Sequence, residues 1–93
     1  MYYTITIYGE HFSTLKEARA NFKELCDKPT PDFLANGHRE ANGTRYIFVT
    51  NDAGDKRAHI YPNGSAKEFI NGKVKTVARY SEKHIESDNH EEL

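Results

Sequence analysis

Four Asn-Gly pairs interrupt this 93-residue chain between residues 36 and 72, and they limit what it can fold into. The pairs begin at Asn36, Asn42, Asn63 and Asn71. Asn and Gly both tolerate the left-handed backbone that tight turns require. The last pair stands between two runs of strand-forming residues, which is the strongest short signal for a two-residue hairpin. The chain beyond residue 43 is therefore predicted to fold into short antiparallel strands.

Four strand-forming segments follow in this part of the chain, and turn residues bound each of them. They contain many β-branched and aromatic side chains, which suit a half-buried pleated sheet. The predicted strands are Arg45 to Thr50, Lys56 to Tyr61, Ala66 to Ile70 and Lys73 to Tyr80.

The first thirty residues predict one strand followed by one amphipathic helix. The residues from Tyr2 to Tyr8 are all β-branched or aromatic, which is typical of a strand. Thr14 and Glu17 form a T-x-x-E capping box, which satisfies free amides at the start of a helix. Prolines at positions 29 and 31 end this helix. An apolar stripe at helical spacing runs along it: Leu15, Ala18, Phe22, Leu25 and Cys26.

The element order β-α-β-β-β-β predicts an α+β fold, in which the amphipathic helix packs on a four- to five-stranded, mainly antiparallel sheet. A chain of this length supports one core, so we expect a single domain over residues 1–80. Residues 27–42 contain no firm element, although Phe33 and Leu34 are expected to reach the core on a short helical turn. Residues 81–93 are predicted to be a flexible acidic tail, or a frayed helix held by Ile85.

The formal charge of −1 conceals an uneven distribution of charge along the chain. The last thirteen residues hold five acids and one lysine, whereas residues 56–79 hold six basic residues and one acid. Opposite charges within one chain attract each other, so the tail is expected to shield a basic surface of the domain.

Composition and motifs narrow the possible classes of protein. Cys26 is the only cysteine, so no disulfide can form within the chain, and we expect a reducing, cytoplasmic location. No apolar run approaches the ~20 residues of a membrane-spanning helix, which argues against a membrane partner. The sequence contains no catalytic, metal-binding or nucleotide-binding motif, so neither an enzyme nor a cofactor is predicted.

One helix covers only one face of a sheet, and side-chain alternation identifies the uncovered face. The helix side is expected to receive Tyr3, Ile5, Ile7, Ile47, Val49, Ala58 and Ile60. The opposite side is expected to receive Tyr2, Tyr8, Tyr46, Phe48, Arg57, His59 and Tyr61. Neither side of the last strand is uniformly apolar, so its inward side is not assigned. Its cations complete the predicted partner-binding set: Lys73, Lys75 and Arg79. An aromatic patch of this kind indicates an interaction surface, unless residues 27–43 fold over it or two chains pair there.

The preferred hypothesis is a small binding protein that acts by occupying a surface of a macromolecular partner, either a protein or a nucleoprotein complex. Tyrosine and arginine are enriched at the energetic centres of such interfaces, and the uncovered face supplies both. The alternative is a small nucleic-acid-binding domain, in which bases stack on tyrosines and phosphates meet lysine or arginine. The simpler interpretation of Lys73, Lys75 and Arg79, set against phosphate binding, is that their charges protect a sheet edge from aggregation. A homodimer, in which two copies pair through the exposed last strand, is a further alternative.

Residues 8–22, with the sequence YGEHFSTLKEARANF, combine a strand end, a glycine turn and a capped helix. This segment resembles strand-to-helix units of phage and mobile-element proteins, including the arm-type DNA-binding domains of integrases. Those domains place the helix after a three-stranded sheet, whereas here one predicted strand precedes it and four follow, so no functional residue is carried over. The small, motif-free chain is also similar in type to phage-encoded inhibitors of host defence complexes, such as anti-CRISPR proteins. That likeness implies inhibition of a host complex as the most concrete form of the binding hypothesis.

Overall fold

The computed structural model of the protein describes residues 3–85. Tyr2 and residues 86–93 of the predicted tail lie outside the described residues. The described part contains six strands and two helices, with a further helical turn over residues 82–85. These elements are β1 (Tyr3–Ile7), β2 (Glu10–Phe12), α1 (Leu15–Asp27), α2 (Pro31–Asn36), β3 (Ile47–Asn51), β4 (Lys56–Ile60), β5 (Ala66–Ile70) and β6 (Lys73–Val77).

The six strands form one sheet in the order β2-β1-β3-β4-β5-β6, and every neighbouring pair is antiparallel. Helix α1 packs on β1, β2 and β3. The predicted α+β fold, with one main helix on an antiparallel sheet, is therefore confirmed. The sheet has six strands and not the predicted four or five, and the additional strand is β2.

Strand β2 exists because the chain turns back immediately after β1. Tyr8 and Gly9 both have positive φ, at 53° and 87°, and Ile7 pairs with Glu10 across this two-residue turn. Positive φ at both central residues gives a turn whose twist matches that of a hairpin. A tyrosine in the left-handed region is uncommon, so the sequence pattern placed Tyr8 in the strand.

Helix α1 begins at the predicted cap. The Thr14 hydroxyl accepts a hydrogen bond from the Glu17 amide at 3.2 Å. The prediction that Cys26 belongs to the buried stripe is wrong, because Cys26 is exposed. It lines an open cleft between α1 and the turn that follows β4, and this cleft exposes one side of the last helical turn. The buried residues of the helix are Leu15, Ala18 and Phe22.

The core lies between α1 and the sheet. Phe33 of α2 joins it with 1% of its surface exposed, whereas the neighbouring Leu34 is 48% exposed. The expected burial of Leu34 is wrong because successive residues of a helix point in different directions. Tyr3 packs against the core while remaining half-buried. The other predicted inward residues of the sheet are all buried: Ile5, Ile7, Ile47, Val49, Ala58 and Ile60.

The segment that follows β6 packs on the helix side of the sheet. Tyr80 and Ile85 are 2% and 8% exposed and belong to the same hydrophobic core. The Tyr80 carbonyl accepts a hydrogen bond from the guanidinium group of Arg19. The predicted domain boundary after residue 80 stays a prediction, and the acidic residues after Ile85 lie outside the described part of the chain.

Glu82 provides a second cap for α1. Its carboxylate accepts hydrogen bonds from the amides of Leu15 and Lys16, the latter at 3.1 Å. These amides belong to the first helical turn, where no intrahelical acceptor exists. A negative charge also interacts favourably with the positive end of the helix dipole. The start of α1 therefore depends on a residue that is distant in the sequence.

We expect the substitution Glu82→Ala to lower the free energy of unfolding by about 1 kcal/mol, because two helix amides lose their acceptor. Urea denaturation at neutral pH measures this change. Lys83→Ala is the matched control, since Lys83 is an exposed neighbour, and its expected change is within ~0.5 kcal/mol. Equal losses in the two variants would contradict a capping role for Glu82.

Candidate functional site

The sheet surface opposite α1, here called the open face, is defined by the strand registers. Antiparallel partners point to the same side of a sheet. Phe48 is opposite His59, and Arg57 is opposite Phe69. None of the described strand residues on this face is acidic. The strand residues of the open face are Thr4, Thr6, His11, Phe48, Thr50, Arg57, His59, Lys67, Phe69, Val74 and Thr76.

A row of rings crosses the open face, formed by His38, Tyr46, His59 and Phe69 and here called the ring row. The Tyr46 and His59 rings stack with centroids 4.0 Å apart and an interplanar angle of 12°. His38 lies nearly parallel to Tyr46 at 5.6 Å, and Phe69 lies 5.0 Å from His59. The guanidinium carbon of Arg57 lies 4.7 Å from the Phe69 centroid, a cation–π contact. The rings therefore use much of their π surface on one another.

The segment between α2 and β3 reaches one corner of the open face. It forms a short hairpin, in which Arg39 pairs with Arg45 and the Glu40 amide donates to the Thr44 carbonyl at 2.8 Å. This hairpin places His38 and Glu40 beside the ring row. Residues 27–43 thus contact the predicted face in part, since His38 lies against Tyr46 and Phe48, and Glu40 lies against His59.

Glu40 connects the hairpin to the sheet. Its Oε1 atom accepts a hydrogen bond from the Tyr61 hydroxyl and lies 3.1 Å from Nδ1 of His59. Both bonds stabilise the ionised carboxylate, so they lower the pKa of Glu40. Burial and the bond to Glu40 raise the pKa of the Tyr61 hydroxyl. Glu40 is thus a carboxylate that holds the ring row in place.

His38 closes the row at its loop end. Burial, and secondly the neighbouring His59, lower its pKa. Its Nε2 atom is buried and has no hydrogen-bond partner among residues 3–85. His38 therefore packs as a neutral ring at neutral pH, with its face against Tyr46.

The structure brings together four of the ten predicted site residues. Tyr46, Phe48, Arg57 and His59 lie together on the open face. Tyr61 adjoins them through Glu40, as described above. The assignment of Tyr8 to this face is wrong, because its positive φ interrupts the alternation and its ring packs edge-on against Phe33 at 6.0 Å. Tyr2 lies outside the described residues.

The three cations of the last strand do not join the aromatic residues. Lys75 is opposite Glu68, which is itself opposite the buried Ala58, so Lys75 points to the helix side. Lys73 shares this side because it is two residues away. Both lie beyond β1, β2 and β3, the strands on which α1 packs. Arg79 follows β6 and lines the cleft beside α1.

Sequence reasoning missed four residues of this surface. Lys67 and Phe69 carry a detectable signal, since both alternate with Ala66, a small apolar residue that faces the core. His38 and Glu40 carry no such signal, because their contacts with β3 and β4 depend on how a long loop folds.

Comparison with protein-family models, with curated proteins and with solved structures gives no match for this chain. Within residues 3–85, no helix is long and apolar enough to cross a membrane. The same residues contain no group of three or more His, Cys, Asp or Glu side chains placed to hold a metal ion.

The lowered pKa of Glu40 predicts how stability changes with pH. A carboxyl whose folded pKa lies below its ordinary value of 4.5 stabilises the fold above that value, and this contribution is lost as the pH falls through the folded pKa. We expect Glu40→Gln to lose less free energy of unfolding than the wild type between about pH 6 and about pH 3.

Urea denaturation at both pH values tests this expectation. Glu24→Gln, at an exposed position of α1, is the matched control and should retain the wild-type pH dependence. An unchanged dependence in Glu40→Gln would contradict the stabilising role of its ionised form.

Proposed function

We propose that the protein is a non-enzymatic binding protein that occupies a surface of a protein partner through its open face. The observation that carries this proposal is the ring row, half-buried and lying opposite α1, with the exposed cations Arg57 and Lys67 beside it. Contiguous aromatic surface rimmed by polar side chains is typical of interaction sites.

The fixed conformation of the ring-row side chains supports a binding role for this surface over a surface that is merely solvated. Its side chains are held by stacking and by the Glu40 hydrogen bonds, so they lose little conformational entropy when a partner binds. Aromatic residues and arginine also account for a large share of the energetic centres of protein interfaces. A rigid aromatic surface flanked by Arg57 is therefore well suited to a partner with apolar groups and exposed carboxylates.

The geometry favours a protein partner over a nucleic acid. A base must stack on a free ring face, whereas Tyr46 stacks on His59 and Phe69 lies under Arg57. Phosphate binding also needs several cations along a path, and the described strands contribute Arg57 and Lys67 to this face. The net charge of the chain is −1, which gives little electrostatic attraction for a polyanion.

A more specific form of the proposal is inhibition of a host defence complex by a phage protein of the anti-CRISPR type. Its support is the small size of the chain, the absence of catalytic motifs in the sequence and a surface suited to protein contact. The single cysteine supports action in the cytoplasm, where thiols stay reduced.

Affinity capture with matched variants tests the open face. The tagged protein is used to capture partners from cells of its source, and each partner is quantified by mass spectrometry. We expect the double variant Arg57→Glu, Lys67→Glu to reduce recovery of the specific partner about tenfold or more, because two interface cations are reversed.

The double variant Lys23→Glu, Lys28→Glu is the control for that experiment. Both of its residues are exposed and lie on α1 or at its end, away from the open face, and the change in charge is the same. The proposal fails if the two double variants lose the partner equally, or if the open-face variant retains it.

A mobility-shift assay separates the nucleic-acid alternative. We expect no retardation of single-stranded DNA, duplex DNA or RNA oligonucleotides at low salt, because the open face lacks free stacking platforms. Retardation that weakens steeply with salt, and that Arg57→Glu abolishes, would replace the protein-binding proposal by a nucleic-acid-binding one.

A further inference from the structure

Strand β6 forms the longer edge of the sheet. Its only partner among the described residues is β5, and it contains five residues, whereas the opposite edge strand β2 contains three. An edge strand presents a row of outward N–H and C=O groups that can pair with another strand. The residues from Lys73 to Thr76 are exposed, and a depression of about 490 Å³ lies beside them.

The two sides of β6 carry side chains of different character. Charged residues discourage edge-to-edge pairing, and Lys73 and Lys75 supply them on the helix side. On the open face, however, the same strand carries Val74, which is 60% exposed. The edge therefore presents an apolar side chain on the open face, opposite Phe69 of β5, and two cations on the helix side.

Cross-strand pairs between β5 and β6 are the last on each side of the sheet, because β6 is the edge strand. On the helix side, Glu68 of β5 is followed by Lys75 of β6. On the open face, Phe69 of β5 is followed by Val74 of β6. Opposite charges and apolar pairs are the favourable cross-strand neighbours. A strand that pairs with the outer edge of β6 is therefore best matched if it places an acid beside Lys75 and an apolar side chain beside Val74.

A second copy of β6 does not meet these requirements. Two-fold antiparallel pairing centred on Val74 places Lys73 opposite Lys75, and pairing centred on Lys75 places that residue opposite itself. Pairing centred on Thr76 brings Lys73 opposite the position of Arg79. Like charges directly opposite each other destabilise a strand pair. Homodimer formation through this edge is therefore disfavoured in each of these registers.

We propose that β6 binds an extended acidic segment of a partner protein, which adds a seventh strand to the sheet. The segment carries the alternating pattern acid–apolar–acid, with its acids against Lys73 and Lys75 and its apolar residue against Val74. Main-chain hydrogen bonds supply affinity, and the alternate side chains supply specificity. This inference goes beyond the proposed function, because it uses the sheet edge and not the ring row.

Synthetic peptides test the pairing directly. The probe is the capped hexapeptide Thr-Glu-Val-Glu-Val-Thr, and its affinity for the full-length protein is measured by titration calorimetry. Hydrogen exchange followed by NMR locates the contact, and we expect slower exchange for outward amides of β6. We expect Lys73→Glu, Lys75→Glu to weaken binding about tenfold or more, since two attractive pairs become repulsive.

A charge-swapped probe distinguishes pairing from a loss of folding. The peptide Thr-Lys-Val-Lys-Val-Thr should bind the Lys73→Glu, Lys75→Glu variant about tenfold more tightly than it binds the wild type. Rescue of this kind requires a folded β6 in the variant. The control variant Lys23→Glu, Lys28→Glu makes the same change of charge on α1 or at its end, away from β6, and should leave the affinity of the acidic peptide unchanged within about twofold.

Three results would overturn the proposal. The first is equal loss of affinity in both double variants, which would indicate attraction to overall charge. The second is failure of the swapped peptide to bind its variant, or slowed exchange in elements other than β6. The third is a concentration-dependent dimer joined through β6 in sedimentation experiments, since a second copy would then occupy the edge.

Discussion

The alternation of side chains along β3 determines the two sides of this molecule. Ile47 and Val49 enter the core, whereas Phe48 points to the open face beside the ring row. Because β3 pairs with β1 on one side and with β4 on the other, a shift of one residue would exchange the two sides across the sheet. The register of this strand therefore fixes both the core under α1 and the aromatic surface opposite it.

Local signals in the sequence were sufficient for most of the fold. Thr14 marks the start of α1, and Asn71-Gly72 forms the predicted turn, in which both residues have positive φ. Strand β2 escaped prediction because Tyr8 adopts a backbone that tyrosine seldom takes. A tight turn is thus predictable where its residues prefer it, and not where the pairing of flanking strands imposes it on an unsuited residue.

The candidate site was predictable only where alternation alone determines position. Phe48, Arg57 and His59 follow from it, since they lie in strands whose opposite side is plainly apolar. The last strand lacks such a side, and its orientation depends on pairing with β5. Glu40 contacts His59, which lies nineteen positions later in the chain, and no local pattern encodes a contact of that kind.

The cap that Glu82 supplies has a consequence for the order of folding. It joins positions that are 67 residues apart, so the first turn of α1 acquires this acceptor only after β6 and the segment behind it are in place. During synthesis the helix leaves the ribosome long before its distant cap, because chains grow at roughly 5–20 residues per second. The carboxyl-terminal segment therefore completes the capping of α1 last, and until then the helix is held by the Thr14 cap and by packing on β1, β2 and β3.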